Sequence, residues 1–125
     1  MTQIETSLPA YPDTTIGDMI EADLRATDLT GTVLRGARAD RAELAMADLR
    51  NADARSMCLV DANLRGARLD ACDLRGADLR GTDLSGASHD ASTLWDGAVI
   101  SLRTTLPDDL DLTGAASALV IDPLG

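Results

Sequence analysis

Residues 62–81 read ANLRGARLDACDLRGADLRG, a stretch in which small residues and leucines return at intervals of five. The same period extends in both directions, and residues 17–96 divide without an insertion into sixteen blocks of five. The third residue is leucine in 12 of the 16 blocks, and in most blocks a small residue stands two positions before it. A short unit repeated this often predicts a stacked repeat architecture. The predicted core consists of the central leucines: Leu24, Leu29, Leu34, Leu44, Leu49, Leu59, Leu64, Leu69, Leu74, Leu79, Leu84 and Leu94.

The period also decides between helix and strand. Alanine, leucine and arginine are strong helix formers, so propensity alone favours a helix over this segment. However, a step of five residues turns an α-helix by about 140°, so successive leucines would scatter around it and leave no apolar stripe to bury. In an extended strand, residues two apart point to the same side. The pattern therefore favours a short strand in each block, with the small residue and the leucine facing inward.

The fifth residue of each block falls at a predicted corner between strands. It is glycine in six blocks, at positions 31, 36, 66, 76, 81 and 86. Glycine adopts positive φ readily and lets chains approach closely, which suits a tight turn. One short strand and one turn cannot bury a leucine alone, so the blocks must stack as the coils of a solenoid.

The run ADLRGTDLSGA at residues 77–87 and the stretch at 62–81 resemble the A(D/N)LXX repeats of the pentapeptide-repeat family. The resemblance covers about two thirds of the chain. It implies an all-β fold, a right-handed quadrilateral β-helix with four blocks in each coil. Sixteen blocks would then form about four coils, in a shaft on the order of 19 Å long.

The ends of the chain depart from the repeat. We predict an irregular N-terminal arm at residues 1–16, the β-helix at 17–96 and a tail at 97–125. The tail is expected to cap the last coil, because an open coil end exposes unpaired backbone and apolar side chains; dimerisation through the tail is the alternative to a monomer. His89 replaces a central leucine, and we expect a polar group satisfied near this cap. Trp95 points outward in this register, and we expect the tail to cover it.

Adding twenty to a residue number finds its neighbour in the next coil and yields two charged columns of outward residues. An acidic column contains Asp23, Glu43 and Asp83, and an arginine column contains Arg35, Arg55 and Arg75. Asp53 and Asp73 precede two of these arginines by two positions, so opposite charges interleave on that surface. The surface is therefore predicted to be a patchwork of charges, and the two columns are the candidate interaction surface.

Composition excludes several classes of function. The chain has a net charge of −10 and no lysine, which argues against direct binding to nucleic acid. It has no run of 18 apolar residues and no signal-like N-terminus, so we expect no membrane association and a cytoplasmic protein. Cys58 and Cys72 form no CxxC pair or disulfide framework, which fits a reducing compartment.

Catalytic signals are also missing from the sequence. It contains a single histidine, no glycine-rich phosphate loop and no metal-spaced cluster, so we predict no enzyme, no cofactor and no metal site. The main hypothesis is a rigid scaffold for protein–protein interaction, with a protein partner that the sequence does not identify. The alternative follows from resemblance to the quinolone-resistance members of the family, which are thought to imitate DNA and engage DNA gyrase. The acidity favours this alternative, whereas the short shaft and the arginine column count against it.

Overall fold

Parallel β-bridges between residues one coil apart stack the coils on one another. The computed structural model describes residues 18–110 and 120–122. From residue 18 to the bridge between Ser88 and Arg68, partners lie twenty positions apart; Asp23 pairs with Glu43, and Glu43 pairs with Asn63. Twenty residues are four blocks, so each coil has four sides, and the predicted right-handed quadrilateral β-helix is confirmed.

Backbone hydrogen bonds run between coils in both directions. The Leu24 N–H donates to the Glu43 carbonyl at 2.8 Å, and the Glu43 N–H donates back to the Ala22 carbonyl at 2.9 Å. Most sides therefore contribute one bridged residue. Two longer strands occur among the described residues, β1 at Val99–Ser101 and β2 at Val120–Asp122, paired in parallel with Val99 opposite Val120. The residues that the structure describes contain no helix.

The corners are tight turns closed by a hydrogen bond across each block boundary, such as the one from the Ala22 N–H to the Met19 carbonyl at 3.0 Å. The fifth residue of every block from 21 to 86 has positive φ, between 57° and 71°, as the third residue of a type II turn requires. The predicted role of glycine at corners is therefore correct. Eight of these corners hold a residue other than glycine, so the coil imposes the left-handed conformation even on side chains that disfavour it.

The core is a stack of small aliphatic side chains along the axis. Eleven of the twelve predicted leucines have at most 3% of their surface exposed. The alanines at the two underfilled centres, Ala39 and Ala54, are equally buried, and so is Met57.

Leu94 is the exception, and its place in the predicted core is wrong. It is 39% exposed, whereas Thr93 and Trp95 are almost fully buried. The bridged residues Ser88 and Leu94 are six positions apart, whereas the earlier bridged residues on successive sides are five apart. The inward positions after Ser88 therefore shift by one residue. The Asp90 carboxylate accepts the Ala71 N–H at 3.1 Å, the place that a backbone carbonyl of the next coil takes at other corners. Trp95 is thus covered because it points inward, and the predicted outward register for it is wrong.

The ladder also continues past the predicted boundary at residue 96. Asp78 bridges Val99, Asp83 bridges Thr105, and β2 adds a further rung on β1. Ala98 and Ile100 extend the buried core. The β-helix therefore reaches into the segment predicted as tail. The predicted arm at 1–16 lies outside the described residues, as do residues 111–119 and 123–125.

A turn at Pro107–Leu110 lies against the last coil. The Leu110 N–H donates to the Pro107 carbonyl at 3.1 Å, and Leu106 and Leu110 pack on the core. His89 Nε2 lies 3.0 Å from Asp109 Oδ1, and its ring meets the Trp95 ring edge-on at 6.1 Å. The single histidine is thus satisfied near the end of the coil, as predicted.

Candidate interaction surface

The shaft has four faces, each defined by the bridged residues that stack on it. Face 1 carries the rungs at 18, 38, 58, 78, 99 and 120, and face 2 those at 23, 43, 63, 83 and 105. Face 3 carries the rungs at 28, 48, 68 and 88, and face 4 those at 33, 53, 73 and 94. On the rungs from 18 to 88 the bridged residue and the residue two positions later point outward, whereas Ser101, two positions after Val99, is buried. Because a coil visits the faces in order, faces 1 and 3 are opposite, as are faces 2 and 4.

The predicted acidic column stacks on face 2, but its charges are mostly occupied. Asp23 forms an ion pair with Arg25 at 2.7 Å, and Asp83 forms one with Arg65 at 3.3 Å. The Arg25 guanidinium lowers the pKa of Asp23 to about 2. Glu43 accepts a hydrogen bond from the Asn63 amide at 3.0 Å. Face 2 is therefore not a continuous negative strip.

The predicted arginine column stacks on face 4, opposite the acidic column. Arg35 and Arg55 both reach Asp53, at 2.8 and 2.9 Å. Arg55 also lies 3.8 Å from Asp73, which pairs with Arg75 at 2.6 Å. The five side chains form one line of alternating charge, and the hydrogen bonds from Arg55 and Arg35 hold the pKa of Asp53 well below its usual range.

The order of aspartate and arginine within a block decides whether the two side chains pair. In block 72–76, Asp73 Oδ1 accepts the backbone N–H and Nε–H of Arg75, and the guanidinium also donates to Oδ2. The same aspartate-first geometry recurs in four other blocks, in the pairs Asp23–Arg25, Asp48–Arg50, Asp53–Arg55 and Asp78–Arg80. An aspartate at the bridged position therefore satisfies both a turn N–H and a guanidinium.

Two blocks have the reverse order, and their aspartates lack such partners. Arg38 precedes Asp40 on face 1, and Arg68 precedes Asp70 on face 3. Oδ1 of Asp40 and Oδ1 of Asp70 are both buried without a hydrogen-bond partner. In the aspartate-first blocks the donor is the backbone N–H two residues after the aspartate. Asp40 and Asp70 stand at that later position themselves, so no N–H of their own block donates to their carboxylates.

Face 1 carries most of the outward aliphatic side chains, which sequence analysis missed. Ile20, Cys58, Val60 and Val99 are half-buried there, and Val120 of β2 is 49% exposed. Ile20 and Val60 lie forty residues apart with Asp40 on the rung between them, so adding twenty once does not connect them. The extra residue before Leu94 conceals the position of Val99.

The described residues contain few groups suited to chemistry. Residues 18–110 and 120–122 contain no cluster of three or more histidine, cysteine or acidic side chains that could hold a metal ion. Both cysteines are free, and burial raises the pKa of the Cys72 thiol to about 12. In the part of the chain that the structure describes, no helix is long and apolar enough to span a membrane.

Four-sided coils, inward leucines and turns with positive φ define a β-solenoid of five-residue units. The chain belongs to the pentapeptide-repeat family, whose model matches eight repeat copies over residues 18–53 and 58–88, more than half of the chain. A comparison with curated proteins gave no match.

Solved structures of other pentapeptide-repeat proteins share the fold. The protein Rfr23 from the cyanobacterium Cyanothece 51142 superposes with a TM-score of 0.69 at 30% identity, covering 71% of this chain and 60% of its own. A protein from the Arabidopsis thaliana thylakoid lumen gives a TM-score of 0.52 at 30% identity, covering 67% and 61%. This chain thus spans about three fifths of the length of each.

QnrB1, a plasmid-mediated fluoroquinolone resistance protein, matches in a trypsin-treated variant with a TM-score of 0.58 at 19% identity. The match covers 82% of this chain and 58% of that one. At this identity the likeness concerns the fold alone.

Proposed function

We propose that this chain is a non-catalytic scaffold that presents a preformed surface to a protein partner. The observation that carries the proposal is the fixed arrangement of outward side chains on faces 2 and 4. Ion pairs hold them in straight columns one coil apart, from Arg35 through Asp53 to Arg75 on face 4. A surface ordered before binding loses less conformational entropy when a partner docks, which favours recognition.

The family supports the same proposal. Pentapeptide-repeat proteins are generally structural or interaction modules. A net charge of −10 without any lysine disfavours a nucleic acid as the direct partner and favours a protein.

Photo-crosslinking from each face in turn tests this function. A photoreactive amino acid would replace one outward residue per face in the full chain: Val60, Ala45, Ser88 or Val33. In cells of the source organism, we expect one protein to crosslink from one face or two adjacent faces and not from the opposite face. Equal crosslinking from all four faces, or none from any, would contradict a specific docking surface.

The second candidate is a DNA-mimicking modulator of DNA gyrase. The acidity of the chain and its fold likeness to QnrB1 favour this candidate. The paired arginines on faces 2 and 4 count against it, because they interrupt the negative strip that imitation of a phosphate backbone needs. A supercoiling assay with purified gyrase decides: absence of both inhibition and protection from a fluoroquinolone, at micromolar protein, removes this candidate.

A further inference from the structure

Face 1 differs from the other three faces in the outward side chains of its central coils. Cys58 and Val60 point outward from one rung, Ile20 lies two coils below Val60, and Val99 lies two coils above Cys58. At the corresponding outward positions, faces 2 and 3 carry mainly charged or small polar residues, and the centre of face 4 is the line of alternating charges. Charged side chains occupy the rungs on either side of Cys58 and Val60: Arg38 and Asp40 below them, and the ion pair of Asp78 with Arg80 above them. A small apolar patch bordered by charges is typical of a protein-binding surface.

Two charged side chains at this patch, Asp40 and Arg38, form no ion pair with any residue that the structure describes. Asp40 lies beside Cys58, whose thiol pKa is raised by burial and by the hydrogen bond that the thiol donates to the Asp40 carboxylate. Oδ1 of Asp40 is buried with no hydrogen-bond partner. Among the residues that the structure describes, Arg38 forms no ion pair, whereas the nearby Arg41 is held by Glu21 at 3.0 Å. Face 1 therefore offers one acid and one base that form no ion pair among the described residues, next to aliphatic side chains.

We infer that face 1 docks a protein segment in which a lysine or arginine, flanked by aliphatic side chains, pairs with Asp40. Aliphatic groups of the segment pack on Val60, Cys58 and Ile20, and an acidic residue of the segment pairs with Arg38. Asp40 as a whole is only half-buried, so a cation can approach its carboxylate although Oδ1 itself is covered. Pairing at the edge of an apolar contact is strong, because the docked side chains exclude water from the charges.

Asp70 shows that an unpartnered carboxylate alone does not define this surface. It occupies the matching position in the other reversed block, and its Oδ1 is equally buried and unpartnered. Its surroundings on face 3 differ, because Arg50 stands one coil below and Asp90 one coil above. Face 3 lacks the aliphatic column, so Asp70 is a matched control for Asp40.

This inference rests on the proposed scaffold function; it assigns docking to face 1, which lies between the ordered charge columns of faces 2 and 4, and to one class of partner. The probe is a random peptide library displayed on phage, selected on the full-length chain. We expect the enriched peptides to contain a lysine or arginine beside valine, isoleucine or leucine. In fluorescence anisotropy, Asp40→Asn should weaken their binding about tenfold or more, and Asp70→Asn less than about twofold. Thermal melts of both variants should match the parent, because the amide keeps the shape of the side chain.

A double-mutant cycle then separates the proposed ion pair from a general effect on the surface. Replacing the peptide cation by glutamine should cost as much as Asp40→Asn, and the two changes together should cost little more than either alone. Val60→Ser, which removes apolar area without adding charge, should weaken the same peptides.

Other outcomes would overturn the inference in distinguishable ways. If the peptides bind but neither Asp40→Asn nor Val60→Ser changes their affinity, the inference about face 1 is wrong, and the scaffold uses another face. Equal losses for Asp40→Asn and Asp70→Asn would make the effect nonspecific. Sedimentation showing a dimer that Val60→Ser dissociates would assign face 1 to a second copy of the chain. A selection without any binder would count against a peptide-docking surface on face 1.

Discussion

At the scale of the residue, the order of two side chains matters more than their presence. Asp73, two positions before Arg75, accepts hydrogen bonds from both the backbone N–H and the guanidinium of that arginine. Asp40, two positions after Arg38, accepts no hydrogen bond from that arginine, and its Oδ1 is buried without a partner. The same pair of residue types thus forms an ion pair in one block and leaves a carboxylate without an ion pair in another. A charge left unpaired in the free chain is available to a partner, which is the basis of the inference about face 1.

Exchanging the reversed pair should therefore stabilise the protein. The double variant Arg38→Asp/Asp40→Arg restores the aspartate-first order, removes the unpartnered oxygen and creates an exposed ion pair, with an expected gain of about 0.5–1 kcal/mol in unfolding free energy. Urea denaturation monitored by circular dichroism measures it. The opposite exchange at Asp73 and Arg75 is the control and should destabilise the chain by a similar amount. A loss of stability for the first exchange would contradict the role of side-chain order.

At the scale of the element, one block contributes little by itself, and the stack of coils supplies the core. Leu64 is fully buried because coils lie above and below it, and its neighbour Arg65 points to solvent and pairs with Asp83. The two residues are adjacent in sequence and differ completely in environment. Alternation between buried and exposed side chains is thus the feature on which each rung depends.

Substitutions at these two neighbours should have very different effects on stability. Leu64→Asp places an unpaired charge among stacked leucines and should prevent folding or cost more than about 4 kcal/mol. Because that variant gives no measurable transition if it does not fold, Leu64→Ala provides a graded value, about 2–5 kcal/mol. Arg65→Ala removes one exposed ion pair and should cost less than about 1 kcal/mol. Comparable losses for Leu64→Ala and Arg65→Ala in urea denaturation would contradict the alternation.

The displaced register in the last coil gives a second pair of contrasting neighbours. Trp95 is 2% exposed and Leu94 is 39% exposed, the reverse of what the five-residue period predicts. Trp95→Ala should cost about 3–5 kcal/mol, because it leaves a large cavity under the terminal turn. Leu94→Ala should cost less than about 1 kcal/mol. Urea denaturation followed by circular dichroism measures the unfolding free energy of both variants. The fluorescence of the single tryptophan checks that the indole stays buried in Leu94→Ala.

At the scale of the whole molecule, the sequence predicts the features that recur in every coil and misses those that occur once. Five-residue spacing is local and repeated, so the inward leucines and the turns follow from it, whereas the four-sided coil is implied by the resemblance to the pentapeptide-repeat family. The shift before Leu94 does not, because one extra residue fits into a turn and Leu94 still matches the pattern. The two charged columns lie where the sequence places them, and their role in binding stays a prediction. The aliphatic column on face 1 depends on neighbours forty residues apart and on that shift.

The many aspartate–arginine pairs also make the whole shaft sensitive to acid. Hydrogen bonds from arginines lower the carboxyl pKa of Asp23, Asp48, Asp53, Asp73 and Asp78. A carboxyl group whose pKa is lower in the folded chain stabilises the fold above its unfolded pKa, near 3.9, and loses that contribution as the pH falls through the folded value. For Asp23 this window extends from 3.8 to about 2.

We therefore expect the melting temperature to change little as the pH falls from about 7 to 5, and to fall steadily from about 4 to 2 as the pairs lose their negative partners. Calorimetry across this range measures the fall in melting temperature at acid pH, which we call the acid limb. Asp53→Asn should flatten it, because this carboxyl group accepts hydrogen bonds from both Arg35 and Arg55. High salt should flatten it as well, since exposed pairs are screened. A melting temperature that rises between pH 4 and pH 2, or an acid limb that Asp53→Asn leaves unchanged, would show that the ion pairs do not stabilise the shaft.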